Sequence, residues 1–255
     1  MNKIIYIIVF CTLLLLLGCK NDTTNNSPVK ENVTLKVTIN HKFGQENVVP
    51  EVSVHTNSSG NEIKFTKLHY IMTNFVLVDS EGNELKIDSS AAYINMTEGR
   101  VDFELGNIPE GNYSELKFYL GVDSVTNHQN PNSFSANSPL NPITNNLYWD
   151  WMDGFIFCSI EGYHFKESEP KGAFAYHIGL DENLMIISIK DDFEVRKDKS
   201  LELVFDLSAY FEYPYVINIS ENAPITHSDK AADFGLSSKL SKNLLNAFRI
   251  DGDEK

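Results

Sequence analysis

The sequence has little cysteine, a shortage of basic residues and only one long apolar run. Its 35 acidic side chains outnumber the 21 basic ones, for a formal net charge of −14, which argues against nucleic acid as a partner because phosphate would be repelled. The one long apolar run, residues 4–17, excludes a protein with several membrane-spanning helices. With 42% hydrophobic residues, the remainder has the composition of a folded globular protein.

Common signatures of enzymes and metal sites are also absent from the sequence. There is no Gly-x-Ser-x-Gly elbow, phosphate-binding glycine-rich loop, His-Glu-x-x-His helix or EF-hand loop. Copper motifs of the His-x-His, Cys-x-x-Cys or methionine-rich type do not occur either. Because no nucleophile–base pair is apparent, we predict that the protein is not an enzyme.

The N-terminus has the organisation of a lipoprotein signal peptide. Lys3 precedes the apolar run, whose 14 residues are short for a spanning helix and typical of a signal sequence. The run ends in Leu-Leu-Gly-Cys at residues 16–19, which resembles a bacterial lipobox, so we expect cleavage before Cys19 and a lipid on its thiol. The alternative is an uncleaved anchor helix. We expect a location in the bacterial cell envelope, anchored to a membrane through Cys19 and facing either the periplasm or the cell surface.

The rest of the chain divides into a tether, a domain and a tail. Residues 1–18 form the predicted signal peptide, 19–31 the lipidated Cys19 and a polar tether, 32–250 one folded domain, and 251–255 a tail. Cys158 is the one cysteine within the domain, so an intramolecular disulfide there is impossible. Since Cys158 lies in an apolar segment, we predict a buried structural thiol.

Alternating apolar and polar residues predict an all-β domain. This period of two is typical of strands with one buried face, and turn residues separate the successive segments. We therefore predict an antiparallel β-sandwich or barrel, of which the sandwich is preferred, with a short C-terminal helix formed around Leu236, Leu240 and Leu244. Ser228 and Ser237 are candidate N-caps of that helix. The predicted strands are 33–39, 63–79, 84–88, 91–96, 101–105, 116–122, 154–163, 172–178, 184–190 and 201–207.

The most unusual segment follows a long Asn-rich loop, residues 124–148. Both tryptophans of the chain, Trp149 and Trp151, lie in Tyr-Trp-Asp-Trp at residues 148–151. A loop of 25 residues is typically functional or disordered, whereas a tryptophan pair in a β-protein is also typical of an aromatic core plug.

The order of several short motifs resembles the MbnP-like family of bacterial copper-binding proteins. The resemblance covers most of the predicted domain, although each motif is weak by itself. The matching segments are 68–75, 120–124, 148–151, 154–157, 161–162, 174–179 and 243–248.

The resemblance implies a β-sandwich that binds copper through histidines and a tryptophan oxidised to kynurenine. A partner di-haem enzyme of the cytochrome-peroxidase type would perform the oxidation, and the protein itself would serve copper acquisition or storage. His177 and His41 match histidine positions of the family, while Trp149 and Trp151 match its tryptophan motif. His227, in a loop before the helix, is a further candidate ligand.

Other polar residues complete the predicted site. Asp123, Asp150 and Asp153 are candidates for holding the second nitrogen of a ligating imidazole. His69 is interpreted as a core or sheet-face histidine. His128 and His164 are interpreted as solvated surface residues.

Two other functions remain open from the sequence alone. The chain is alternatively a carbohydrate- or protein-binding surface lipoprotein without metal, with the tryptophan pair as a stacking platform and the Asn-rich loop as a rim. It is also compatible with a purely structural lipoprotein.

Overall fold

The computed structural model describes residues 31–166, 169–222, 224–228 and 234–252. The predicted signal peptide and Cys19 lie outside the described residues, as does the tether except for residue 31. The described residues form sixteen strands, and all ten predicted strands are among them. The strands are β1 (Asn32–Phe43), β2 (Glu46–Asn47), β3 (His55–Thr56), β4 (Glu62–Asp79), β5 (Glu84–Lys86), β6 (Ala91–Asn95), β7 (Asp102–Pro109), β8 (Gly111–Leu120), β9 (Tyr148–Trp149), β10 (Gly154–Lys166), β11 (Glu169–Gly179), β12 (Met185–Ile189), β13 (Phe193–Val195), β14 (Ser200–Asp206), β15 (Ile225–Thr226) and β16 (Phe248–Ile250).

The strands form two sheets, which confirms the predicted all-β sandwich. The smaller sheet has the order β16-β14-β1-β2, with β7 also paired to β1. The larger has the order β12-β8-β4-β10-β11-β15, with β13, β3, β5, β6 and β9 attached along this path. The 18-residue strand β4 is central to the larger sheet because β8 and β10 both pair with it.

Two pairings depart from the antiparallel expectation: β1 with β14, and β11 with the two-residue β15. β1 and β14 run parallel, from Lys36 opposite Ser200 to Lys42 opposite Asp206. The alternation within each strand cannot reveal direction, because side chains alternate between faces in parallel and antiparallel strands alike. β1 keeps the expected pattern, with Val33, Leu35 and Val37 buried.

Four short α-helices accompany the sheets, and no helix among the described residues is long and apolar enough to cross a membrane. They are α1 (Ser124–Asn127), α2 (Pro142–Asn145), α3 (Leu207–Glu212) and α4 (Phe234–Leu244). The predicted C-terminal helix is confirmed as α4. Ser237 lies inside α4 and therefore does not cap it, which corrects that expectation.

The core between the sheets is rich in aromatic rings. Phe205 of β14 stacks on Phe248 of β16 with ring centroids 4.4 Å apart, and Tyr70 of β4 meets Phe205 edge-on at 5.3 Å. Tyr70 therefore marks the inner face of the larger sheet. Cys158 is fully buried as a free thiol, as predicted.

Asparagine side chains order the long loop before β9. Asn127 donates to Asp181 at 2.7 Å and accepts from the backbone N–H of Phe155 at 2.7 Å. The side chains of Asn141 and Asn145 donate to nearby backbone carbonyls. These amides replace the hydrogen bonds that a sheet would supply, so the Asn-rich composition is structural.

Candidate functional site

The register of four strands places a polar row on the outer face of the larger sheet. Asn95 lies opposite His69, His69 opposite Ser159, and Ser159 opposite His177. Because successive side chains point to opposite faces, this row faces away from the core to which neighbouring Tyr70 belongs. His177 is thus partly exposed on this face, beside polar groups that are themselves buried.

His177 is oriented by a carboxylate. Its Nε2 donates to Glu161 Oε1 at 3.0 Å, and Lys67 Nζ contacts the same oxygen at 3.2 Å. The hydrogen bond from His177, aided by Lys67, lowers the pKa of Glu161 to about 2 against the opposing effect of burial. An ionised Glu161 therefore holds one ring nitrogen of His177 and leaves Nδ1 for another partner.

The short parallel strand β15 brings a second histidine to the same place. Ala175 and Tyr176 pair with Ile225 and Thr226, so His227 follows directly beside His177. The Ser228 hydroxyl fixes the end of β15, because it donates to the His177 carbonyl at 3.1 Å. The two imidazole rings consequently lie 5.2 Å apart, centroid to centroid.

Both tryptophans contact His227 but differ in exposure. Trp149 is 6% exposed and Trp151 is 63% exposed. The His227 ring lies 6.1 Å from Trp149 and 6.0 Å from Trp151, nearly perpendicular to each. Trp149 packs directly against Gly179, which has no side chain. A Cβ built on Gly179 would lie 2.6 Å from the indole carbon Cζ3. The structure therefore brings His177, His227, Trp149 and Trp151 together in one cluster, called the His–Trp cluster below.

His69 joins the edge of the cluster, although the sequence suggested only a core or face histidine. It is 2% exposed, and burial, with smaller effects from Lys67 and His177, lowers its pKa to about 3, so its imidazole is neutral near pH 7. Its place across Ser159 from His177 depends on the pairing of β4, β10 and β11. Glu161 was likewise not predicted, because no local motif reveals cross-strand neighbours.

His41 lies apart from the cluster, between the two sheets. Its Nε2 shares a hydrogen bond of 3.0 Å with the Tyr70 hydroxyl, and its ring lies 5.9 Å from that of Phe205. Burial lowers its pKa to about 3. Since Tyr70 is on the inner face of the sheet and His177 on the outer face, the structure does not bring His41 to the other candidate ligands.

The three candidate aspartates have other placements. Asp123 caps α1 by accepting from the backbone N–H of Thr126 at 2.9 Å. Asp153 accepts from the Tyr148 hydroxyl at 2.5 Å, and Asp150 is exposed. The carboxylate that bonds to His177 is Glu161.

The remaining histidines are mostly structural. His128 is exposed, as expected, and contacts Asp181 at 3.1 Å. His164 is 7% exposed, so its interpretation as a surface residue was wrong: its strand position places the ring against Gly172. His55, for which no role was predicted, is buried and stacks on Phe43.

The cluster offers two adjacent imidazoles rather than a complete metal centre. Within the described ranges, no group of three or more His, Cys, Asp or Glu side chains is arranged to hold a metal ion. Metal–nitrogen bonds of about 2 Å put two imidazole centroids on one ion roughly 5 to 6 Å apart, which the 5.2 Å separation of His177 and His227 matches. The donor chemistry fits an imidazole-binding metal that takes further ligands from outside this pair.

These features define a class of protein: an all-β sandwich with paired histidines and tryptophans on an outer sheet face. The chain belongs to the MbnP family, whose profile matches residues 31–228, more than half of the chain. This confirms the resemblance found in the sequence. Among solved structures, MbnP from Methylosinus trichosporium is similar in fold, with a TM-score of 0.58 and 15% identity over 81% of this chain and 87% of that one. No curated protein matches the chain.

Proposed function

We propose that this protein binds copper at His177 and His227, and that it does so as a binding protein and not as an enzyme. The observation that carries the proposal is the 5.2 Å separation of the two imidazole rings, both of them partly exposed. Imidazole nitrogen suits copper in either oxidation state. Membership of the MbnP family supports copper as the metal.

The surroundings of His177 support a ligand role. A ligating imidazole commonly gives its second ring N–H to a carboxylate, which fixes the ring and raises its basicity. Glu161 supplies that carboxylate at 3.0 Å. With Nε2 bonded to Glu161, Nδ1 is the nitrogen available to copper.

The segments that supply His177 and both tryptophans are acidic, while Lys67 of β4 also contacts Glu161. Residues 118–165 and 172–189, which supply His177 and both tryptophans, contain no lysine or arginine. They carry six acidic residues, listed here in chain order: Asp123, Asp150, Asp153, Glu161, Asp181 and Glu182. An excess of negative charge raises the local concentration of copper ions and speeds their association.

We also propose that one tryptophan of the cluster is oxidised to kynurenine by a partner di-haem enzyme. Both indoles lie about 6 Å from His227, so a kynurenine carbonyl or amine at either position would reach the neighbourhood of the metal. Trp149 is the better candidate for a ligand because Gly179 and β9 hold it against the sheet. The change removes one carbon and adds one oxygen, so intact mass detects it.

The proposed setting is the bacterial cell envelope, with Cys19 lipidated and the domain serving copper acquisition or storage. The lipobox-like end of the apolar run supports this placement. Palmitate labelling of the wild-type protein and of Cys19→Ala in a bacterial host tests the anchor, since the substitution is expected to abolish labelling.

The copper proposal is tested by the metal content of purified variants. We expect wild-type protein to retain copper after desalting, and His177→Ala and His227→Ala each to lose at least about tenfold in affinity, the loss typical when a metal site is disturbed. His128→Ala is the matched control, because His128 is a histidine that is exposed and bonded elsewhere.

Retention of full copper stoichiometry and affinity in both cluster variants would overturn the site. Loss in the His128 control as well would indicate non-specific binding to surface histidines. Intact mass of protein from its native host, followed by peptide mapping, identifies Trp149 or Trp151 as the oxidised residue. An unchanged mass in copper-loaded native protein would contradict the oxidation step alone.

A further inference from the structure

A cleft beside the Asn-rich loop lies outside the proposed copper ligands. Its volume is about 430 Å³, and its walls include Phe134, Tyr148, Asn132, Asn146 and Asp150. A space of this size is within the range of small-molecule sites. The cleft is formed by the loop between β8 and β9 together with Tyr148 and Asp150, and it contains neither of the proposed histidine ligands.

Phe134 also lines a second cleft, so the two clefts adjoin at this residue and are together called the groove below. The second cleft has a volume of about 330 Å³, and Gln129, Ser138, Thr126 and Ser89 contribute to its walls. Amide and hydroxyl groups therefore line both clefts beside the shared residue Phe134.

The aromatic rings of the groove are held rigidly. Phe134 and Tyr148 each meet the ring of Phe155 edge-on, at centroid distances of 5.7 and 5.2 Å. Phe155 is fully buried, so it fixes both rings from below. Rings ordered before a ligand arrives lose little conformational entropy when the ligand stacks on them.

Several polar side chains of the groove are free to bind a ligand. The amides of Asn132, Asn146 and Gln129 and the carboxylate of Asp150 make no hydrogen bond to the described part of the chain. Each amide offers two donor hydrogens and an acceptor oxygen, and Asp150 accepts. No lysine or arginine is among the described residues that line either cleft.

We propose that this groove binds a neutral oligosaccharide. A sugar ring combines an apolar C–H face, which stacks on Phe134 or Tyr148, with hydroxyls that both donate and accept, as unpartnered amides require. The absence of lysine and arginine from the described walls, together with the carboxylate of Asp150, disfavours acidic ligands. Two adjoining clefts suit a ligand of two or more sugar units.

The test is saturation-transfer NMR of the purified protein with neutral trisaccharides of glucose, mannose, galactose, xylose and N-acetylglucosamine. We expect transfer to at least one trisaccharide. Asn132→Ala and Gln129→Ala are each expected to raise its Kd about fivefold, which corresponds to the loss of one hydrogen bond. Asn137→Ala is the control, because Asn137 is an exposed amide of the same loop that lines neither cleft.

Each outcome decides the proposal. Absence of transfer to every trisaccharide from folded protein overturns it, as does binding that neither Asn132→Ala nor Gln129→Ala weakens. Transfer only to a neutral Gly-Ser peptide would assign the groove to peptides instead. His177→Ala should leave sugar binding unchanged, so failure of the copper proposal and failure of this one are separable.

Discussion

His41 and His177 show how one residue type takes opposite roles inside the sandwich and on its outer face. The chain places His41 in the core against Tyr70 and places His177 on the outer surface against Glu161. Sequence comparison treats both as equivalent candidate ligands. Only the alternation of faces, combined with the pairing of strands, separates them.

Burial of His41 predicts acid sensitivity. Its pKa is about 3 in the folded protein and 6.5 when exposed, so the unfolded state binds more protons below pH 6.5. Stability is therefore full above pH 6.5 and declines as the pH falls towards 3. At pH 5 the loss due to His41 is about 2 kcal/mol, from 1.36 kcal/mol per pKa unit.

Urea unfolding of the wild type and of the double variant His41→Leu/Tyr70→Phe checks this expectation. The double substitution removes the titrating ring and its hydroxyl partner together, so the decline between pH 7.5 and pH 5 should shrink by about 2 kcal/mol. An unchanged decline would mean that His41 is solvated in the folded protein.

Tyr210 carries a buried hydroxyl without a hydrogen-bond partner among the described residues, as does Tyr176. An unsatisfied buried hydroxyl costs about 1–3 kcal/mol, so Tyr210→Phe should raise the free energy of unfolding by about 1 kcal/mol. Tyr113→Phe is the control, because the Tyr113 hydroxyl donates to the Pro109 carbonyl at 2.8 Å and its removal should destabilise. Thermal and urea unfolding compare the two. Destabilisation by Tyr210→Phe would instead indicate a buried water bonded to the hydroxyl.

At the level of elements, the long regular strands could be predicted and the strands of two residues could not. Strands such as β1 and β8 are long enough for alternation to appear in the sequence. β9 and β15 each have two residues, too few for any period, yet they position Trp149 and His227. The histidine and tryptophan identities were therefore predictable, while the short strands that bring them together were not.

Gly179, at the end of β11, allows the Trp149 ring to pack closely against the strand. A Cβ at this position would lie 2.6 Å from both the Phe155 carbonyl oxygen and the Trp149 ring, so one of them must move. We expect Gly179→Ala to displace Trp149, shift its fluorescence, weaken copper binding and cost about 1–3 kcal/mol of stability.

Gly106→Ala is the control for this substitution, because nothing lies within 4 Å of a Cβ built there. Fluorescence spectra, copper titration and urea unfolding of both variants provide the comparison. Equal behaviour of Gly179→Ala and Gly106→Ala would show that the sheet relaxes around the added methyl group.

For the whole molecule, the core extends beyond the part that the family profile matches. The match ends at residue 228, whereas α4 and β16 follow it. Asn243 of α4 donates to the Tyr210 and Tyr215 carbonyls and accepts from the Tyr215 N–H. The C-terminal segment is thus part of the folding unit. Asp251, assigned to the tail from the sequence, is also held, since its N–H donates to the Glu202 carbonyl at 2.8 Å.

Substitution of Phe248 tests how far the stability of the fold depends on the C-terminal segment. The Phe248 ring stacks on Phe205 and meets Phe118 and Tyr70 edge-on, so Phe248→Ala should cost about 3–5 kcal/mol, a large share of the stability of an ordinary domain. Ile250→Ala on the same strand is the control and should cost less, because Ile250 is only partly buried. Equal losses in urea unfolding would place the two residues in equivalent surroundings and contradict the described packing.

The larger sheet separates the side chains that keep the molecule folded from the proposed copper ligands. Its inner residues, such as Tyr70 and Cys158, are enclosed, while His177 and Trp151 project from the other side. Selection can therefore change the exposed residues of the outer side without repacking the interior, and a lineage that loses its ligands keeps an intact scaffold. Relatives of this fold should accordingly differ in the ligand they bind more than in their architecture.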